Sequence, residues 1–205
     1  MEERKSSING KIRVLKTLGL GTYIQVEGLT QSGGVVEGIW RSTLKKVTSI
    51  KYQVSNCLIL GLGGGSAAKW VRHYYPESKI VGIDIDPVMV ELGKKYLGLD
   101  KLNIDIKIED ALEFLNHKSK FLNLKYNLIL IDIYQGSDIP EKFQTEKFIE
   151  LIKKFLSVKG IAMFNRLYFD EKRKEAMRFA KKLESIFSEV DYYYPEANVM
   201  FFCKN

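Results

Sequence analysis

The stretch CLILGLGGGSAAKW, Cys57 to Trp70, passes from an apolar run through four glycines into a helix-forming segment, and IVGIDID, Ile80 to Asp86, follows it. A strand, a glycine turn, a helix and a second strand ending in an acid is how an α/β sheet grips a nucleoside. Glycines admit backbone close to a ligand, and the helix amino end offers it unpaired N–H donors. Asp84 closes the second strand, where a carboxylate can accept both ribose hydroxyl protons. Asp86 stands directly before Pro87, the pairing of a helix cap with an N1 proline, which leaves Asp84 for the ribose and puts Ile85 beside the base.

Two common readings of such a turn fail on single residues. A dinucleotide fingerprint beginning at Gly61 needs a glycine at position 66, which is Ser66, and no G-K-S or G-K-T follows to make a P-loop. A turn alone needs fewer glycines than Gly61, Gly63, Gly64 and Gly65 provide, so these residues are expected to line a ligand.

Outward from this segment, strand-like and helix-like stretches alternate from Gln53 onward, the pattern of a parallel sheet covered by helices on both faces. Strands are expected near 56–61, 79–84, 103–108, 126–132 and 159–165. Helices are expected from Gly65 or Ser66, from Asp86 to Leu97 with Gly98 as its stop, from Asp110 to Leu115, from Thr145 to Leu156, and from Asp170 to Phe187. The chain ends in SEVDYYYPEANVMFFCKN, two strands joined by a tight turn at Pro195 to Asn198, so the last pair is antiparallel. Lys11 to Val47, with TYIQVEG, Gly33, Gly34 and VVEGIW, reads as short strands and turns. Residues 1–50 therefore form a small β-hairpin region and residues 51–205 the main domain.

Composition sets broad limits. A chain of 205 residues with 45% hydrophobic and 28% charged content suits one soluble domain, and no apolar run reaches the roughly 18 residues of a membrane helix. The amino end, MEERKSSING, lacks the apolar core of a secretory signal, so a cytoplasmic location is expected. Cys57 and Cys203 have no metal-ligand or C-x-x-C spacing and read as reduced, buried thiols. The net charge of +7 suits a nucleic-acid partner in principle, but the lysines are spread along helix faces among glutamates, the pattern of a solvated surface.

Two further acids carry chemistry. Asp110, with Glu109 before it and Ala111 after it, follows the third strand of the domain, where a carboxylate can accept the exocyclic amine of adenine. A helix cap explains Asp110 almost as well, and one carboxylate can serve both. NLILID ends in Asp132 at the carboxyl edge of the fourth strand, beside the first, where an acid can orient an amine and accept its proton. His73 and His117 are not paired by spacing and carry no assigned role.

Taken together these residues resemble the spermidine synthase-like branch of class I S-adenosylmethionine-dependent transferases, from Glu27 to about Leu167. Ile59 stands two places before Gly61, where ordinary methyltransferases often carry an acid. EGLTQS is similar to the family's D-G-x-x-Q-S segment, whose glutamine reaches the cofactor, here Gln31. Tyr126 to Ile161 resembles the stretch holding the catalytic aspartate, here Asp132, with Tyr134 as a helper. The resemblance implies a Rossmann-like class I methyltransferase fold, α/β, with a mostly parallel seven-stranded sheet, a C-terminal antiparallel hairpin and a small N-terminal β-hairpin unit. It also implies S-adenosylmethionine or its decarboxylated form as cofactor, no metal, a small acceptor of the amine type, and a homodimer.

Departures from the pattern divide the reaction. The family reads G-G-G-D-G-G in the first turn, with an aspartate at the place of Gly64, and carries a tyrosine, a His or Gln and a Glu where this chain has Ile39, Trp40 and Arg41. DIYQGSDIP replaces D-S-S-D-P, leaving Asp138 as a displaced second acid. Aminopropyl transfer, methyl transfer to a non-polyamine or nucleic-acid substrate, and a non-catalytic cofactor-binding module are the three readings this leaves.

Overall fold

A computed structural model describes residues 1–49, 51–119 and 124–205. The chain opens with four antiparallel strands in sequential order, β1 (Glu2–Ser6), β2 (Gly10–Thr17), β3 (Gly21–Val26) and β4 (Leu29–Gly33). Helix α1 (Gly34–Ser49) leads into the main domain. There β5 (Asn56–Leu60), α2 (Ser66–Tyr74), β6 (Lys79–Asp84), α3 (Pro87–Leu97), β7 (Asp105–Ile108), α4 (Ala111–Lys118) and β8 (Tyr126–Ile131) alternate. They are followed by α5 (Glu146–Phe155), β9 (Leu156–Leu167), α6 (Lys172–Ile186), β10 (Glu189–Tyr193) and β11 (Asn198–Lys204).

The main sheet has seven strands in the order β10-β11-β9-β8-β5-β6-β7. Strands β5 to β9 run parallel, while β11 is antiparallel to both β9 and β10. The expected terminal hairpin is present, with Asn198 N–H closing its turn on the Pro195 carbonyl at 3.1 Å. Chain order reverses between β5 and β8, and the carboxyl ends of parallel strands at such a point leave a crevice for ligands.

Alternation along the central strands supplies both cores. Leu58 and Leu60 face a layer containing Phe148, Ile152, Phe179 and Leu183 of α5 and α6, whereas Cys57 and Ile59 face Trp40, Leu44, Ala68 and Val71 of α1 and α2. Cys57 and Cys203 are free and buried, and burial pushes both thiols up in pKa. Among the described residues no helix is long and apolar enough to cross a membrane.

One element differs in kind from the sequence expectation. VVEGIW is not a strand but the first turns of α1. Ile39, Trp40, Thr43, Leu44 and Val47 are its buried residues, a helical spacing visible only when the segment is read through to Val47. The last helix also starts differently. Asp170 lies at φ 42, before Lys172, and supplies no side-chain cap.

The N-terminal sheet rests on α3, where Ile12, Val14, Ile24 and Val26 pack with Met89 and Leu92. Fully buried Asp86 joins the two. Its Oδ1 accepts the Val88 and Met89 N–H groups as the cap of α3, and its Oδ2 accepts the Ser6 hydroxyl at 2.6 Å and the Asn9 amide at 2.7 Å. Close backbone packing completes the joint, because a Cβ on Gly93 of α3 would stand 2.6 Å from the Gly64 Cα.

Asp110 caps α4 in the same way as Asp86 caps α3, without the link to a second sheet. Asp110→Ala is expected to cost about 1 kcal/mol, the ordinary value of a cap. Asp86→Ala should cost more, about 2–4 kcal/mol, because it also leaves the Ser6 and Asn9 donors unpaired. Urea unfolding of both variants checks the difference, and equal losses would contradict it.

Candidate active site

A cavity of about 690 Å³ occupies the crevice at the carboxyl ends of β5, β6 and β8. Its floor is the turn after β5. Gly61 and Leu62 N–H both donate to the Ile83 carbonyl at 2.9 Å, which holds the turn against β6. Gly61 has φ 86, and a Cβ there would fall 2.2 Å from the Asp132 carbonyl oxygen, so only glycine fits between β5 and β8. Gly63 donates its N–H to Asp84 Oδ2 at 2.6 Å.

The four glycines divide their work. Gly61 and Gly63 line the cavity, but Gly64 and Gly65 do not. Gly64 N–H donates to Ser32 Oγ at 2.7 Å, and a side chain there would strike Ser32, Leu97 and Ile24 within 3.0 Å. Gly65 is the left-handed residue before α2, pressed against Leu99. These two glycines pack the N-terminal sheet, α3 and the turn together.

Asp84 faces the cavity with Oδ1 accepting the Asp86 N–H at 2.9 Å and Oδ2 accepting Gly63. Burial pushes its pKa up to about 6 against the pull of these two bonds, and the charges of Asp86 and Asp132 add to the rise. Ile85 is exposed beside it on the cavity wall. Across from Ile85, Asp110 and Ala111 also reach the wall. Asp110 caps α4 with Oδ1 and pairs with Lys142 Nζ through Oδ2 at 2.6 Å, so the cap is present whatever the residue does to a ligand. Gln31 donates its amide to the Gly136 carbonyl at 3.1 Å, tying β4 to the loop after β8 on the cavity rim.

Asp132 lies at the end of β8 with its N–H on the Leu60 carbonyl. Its Oδ2 accepts the Trp40 indole N–H at 3.1 Å and its Oδ1 the Asn165 amide at 2.7 Å. Burial raises its pKa, and those two bonds oppose the rise. Among the described residues the partners of the Asp132 carboxyl group are these two neutral donors, not a lysine.

Two expected site residues are placed differently. Tyr134 lies on the wall, but its hydroxyl accepts the Leu167 N–H at 2.8 Å and donates to the Asn165 carbonyl at 3.3 Å, anchoring β9 instead of standing free as a helper. A buried phenol requires such partners, and burial drives its pKa up. Asp138 is largely exposed, outside this cavity, and pairs with Lys172 Nζ at 2.6 Å. Site residues that escape a reading of the sequence include Asn165, which with Trp40 holds Asp132, and Asn9, Glu196 and Asn198 on the cavity wall. Asn165 carries a signal, a polar residue inside the apolar run IAMFNRL; Asn9 and Glu196 carry none.

A mostly parallel seven-stranded sheet closed by an antiparallel pair, with a glycine turn and two acids at its switch point, defines a Rossmann-like methyltransferase fold. Residues 39–198 match the spermine/spermidine synthase domain, and the chain belongs to that family. It is 25% identical over 148 residues to a probable polyamine aminopropyl transferase of Bifidobacterium longum, covering 72% of this chain and 32% of that protein. It is 28% identical over 160 residues to an eEF1A lysine and N-terminal methyltransferase homolog of Drosophila melanogaster, covering 72% and 23%. The chain thus spans about a third or less of the length of these curated relatives. Among solved structures, spermidine synthase from Thermotoga maritima superposes with a TM-score of 0.80 at 21% identity, covering 99% of this chain and 72% of that one. Human methyltransferase-like protein 13, solved with SAH, superposes with a TM-score of 0.65 at 22% identity, covering 83% and 79%.

The raised pKa of Asp84 has a sign that can be measured. An acid that binds its proton more tightly in the folded state adds stability at low pH, and that stability is lost as pH rises from the unfolded value of 3.8 through about 6. The loss should amount to about 2 kcal/mol, since each tenfold gain in proton affinity is worth about 1.4 kcal/mol and the group is not wholly cut off from water. Urea midpoints between pH 4 and 7.5 should fall less steeply in Asp84→Asn than in the parent; identical slopes would refute the assignment.

Proposed function

We propose that this chain is a spermidine synthase-like transferase that binds S-adenosylmethionine or its decarboxylated form and moves an aminopropyl or methyl group to a small acceptor, of the amine class. The observation that carries the reading is the placement of Asp84 and Asp132 at one cavity, on either side of a turn that admits only glycine at position 61. The residues present suit a nucleoside. Asp84 retains acceptor capacity beside its two backbone bonds for ribose hydroxyls, Ile85 and Ala111 offer apolar surface to a base, and Asp110 reaches the same wall. Gln31, already on the rim, is positioned to contact the ligand tail.

The cofactor, when bound, supplies an electrophilic carbon attached to a sulfonium. The protein's own contribution is at the acceptor. Asp132, a half-buried carboxylate, orients an incoming ammonium or amine and takes its proton, freeing the nitrogen lone pair for attack. Apolar Val36 and Ile39 of α1 line the same cavity and exclude water from the nucleophile.

One observation bears on the choice between methyl and aminopropyl transfer. Asp138 is turned out of the cavity to Lys172, so the replaced D-S-S-D-P segment puts no second acid beside Asp132, and the far end of a diamine would have to be held by another acid of the wall such as Glu196. The relatives include proteins named for either reaction. A module that binds cofactor without turnover is the reading these assays would leave if no product formed.

Calorimetry with S-adenosylmethionine, its decarboxylated form and methylthioadenosine tests the core of the proposal, and absence of binding by all three would end it. Asp84→Asn should weaken binding by about 10- to 100-fold, the range for a lost charge-assisted hydrogen bond. Asp132→Asn should bind within a few-fold of the parent and lose turnover. Product masses from each cofactor form with a panel of amines then distinguish addition of an aminopropyl group from addition of a methyl group.

A further inference from the structure

We infer that Trp40, Asn165 and Asn198 form a positioning relay that holds the Asp132 carboxyl group in one rotamer and favours its carboxylate form. The inference rests on the transferase reading for its consequence in catalysis, not for its geometry.

The bonds of the relay run in one direction. Asn198 Nδ2 donates to Asn165 Oδ1 at 2.8 Å, and Asn165 Nδ2 donates to Asp132 Oδ1 at 2.7 Å. From the opposite side the Trp40 indole N–H donates to Asp132 Oδ2 at 3.1 Å. An indole is a donor only, and with its oxygen committed to Asn198 the Asn165 amide also presents only a donor. Each oxygen of Asp132 therefore meets an N–H, and rotation of the carboxyl group would break both bonds. A proton added along either bond would set O–H against N–H, so the pair of donors favours the carboxylate. Two of its four lone-pair sites are used, and the others remain for a ligand.

The donors themselves are held firmly. Trp40 is fully buried within α1, and Asn165 and Asn198 are buried on the adjacent strands β9 and β11. Tyr134, two residues after Asp132, pins β9 by its bonds to the Asn165 carbonyl and the Leu167 N–H. Such backing is what a site needs to keep a reacting group within a fraction of an ångström.

Among the described residues no charged side chain bonds to the Asp132 carboxyl group. From α1 it meets Trp40, from β9 Asn165, and from the turn after β5 the backbone at Gly61. The titratable groups that feel its charge are Asp84, at the end of β6, and Tyr134. Arg166, the next residue on β9, stacks over the Phe179 ring in the other core. A carboxylate held by neutral donors has no charge partner in its own bonds and leaves that place to a cationic ligand.

The test is a carboxyl titration of the whole, ligand-free chain by NMR with 13C-labelled aspartate. Trp40→Phe and Asn165→Leu each remove one donor, so each should raise the proton affinity of Asp132 about tenfold or more. Two variants are used because loss of the indole could prevent folding, and Asn165→Leu reads the same carboxylate from the other side. A folded variant that loses thermal stability with the Asp132 titration unchanged shows a packing role only and overturns the inference. A raised titration upholds the relay even if calorimetry detects no S-adenosylmethionine-type ligand, an outcome that removes the transferase reading alone.

Discussion

The approach of the turn after β5 to the end of β8 governs the site. With a Cβ at Gly61 the contact to the Asp132 carbonyl would be 2.2 Å, shorter than any real carbon–oxygen contact, so these strand ends meet only through a residue without a side chain. The same turn hangs from the Ile83 carbonyl at the end of β6. One stretch of backbone thereby brings the ends of three strands together and places Asp84 and Asp132 at a common cavity. A side chain at Gly61 would separate the acids before it altered any ligand contact.

Holding two carboxylates near one another in a half-closed crevice costs stability, because burial disfavours both charges, and the charge of Asp132 further raises the pKa of Asp84. The fold offsets that cost with uncharged donors. Backbone N–H groups of Gly63 and Asp86 serve Asp84, and the side chains of Trp40 and Asn165 serve Asp132. Lysines would neutralise the acids more completely, and would also occupy the positions a cationic ligand needs. Lys142 is the one basic side chain on the cavity wall among the described residues, and it is already paired with Asp110.

Much of this was legible in order along the chain. The parallel strands, the terminal antiparallel pair, the cap at Asp86 and the acids at the ends of β6 and β8 follow from local patterns, namely apolar runs, a D-P pair and turn residues. The segment that runs against its local pattern is instructive. VVEGIW is β-branched and aromatic, yet it is helical because its buried positions continue at helical spacing to Val47 and pack on α2. Local propensity is outweighed by a periodicity that extends beyond those six residues. Tyr134 and Asp138 look equivalent to site residues by position in the chain, but the direction of each side chain is decided by partners on β9 and α6.

Sequence by itself determined the class of fold and the two acids at the ends of β6 and β8, because strand ends, glycine turns and caps are written in neighbouring residues. Tertiary structure decided which glycines line the cavity and which meet protein, and what surrounds the acid at the centre. Gly64 belongs to the joint with Gly93 and Ser32, and Asp132 is held by residues 92 positions before it and 33 after it. Contacts across such separations depend on how helices and strands stack, and local residue pattern carries no record of that distance.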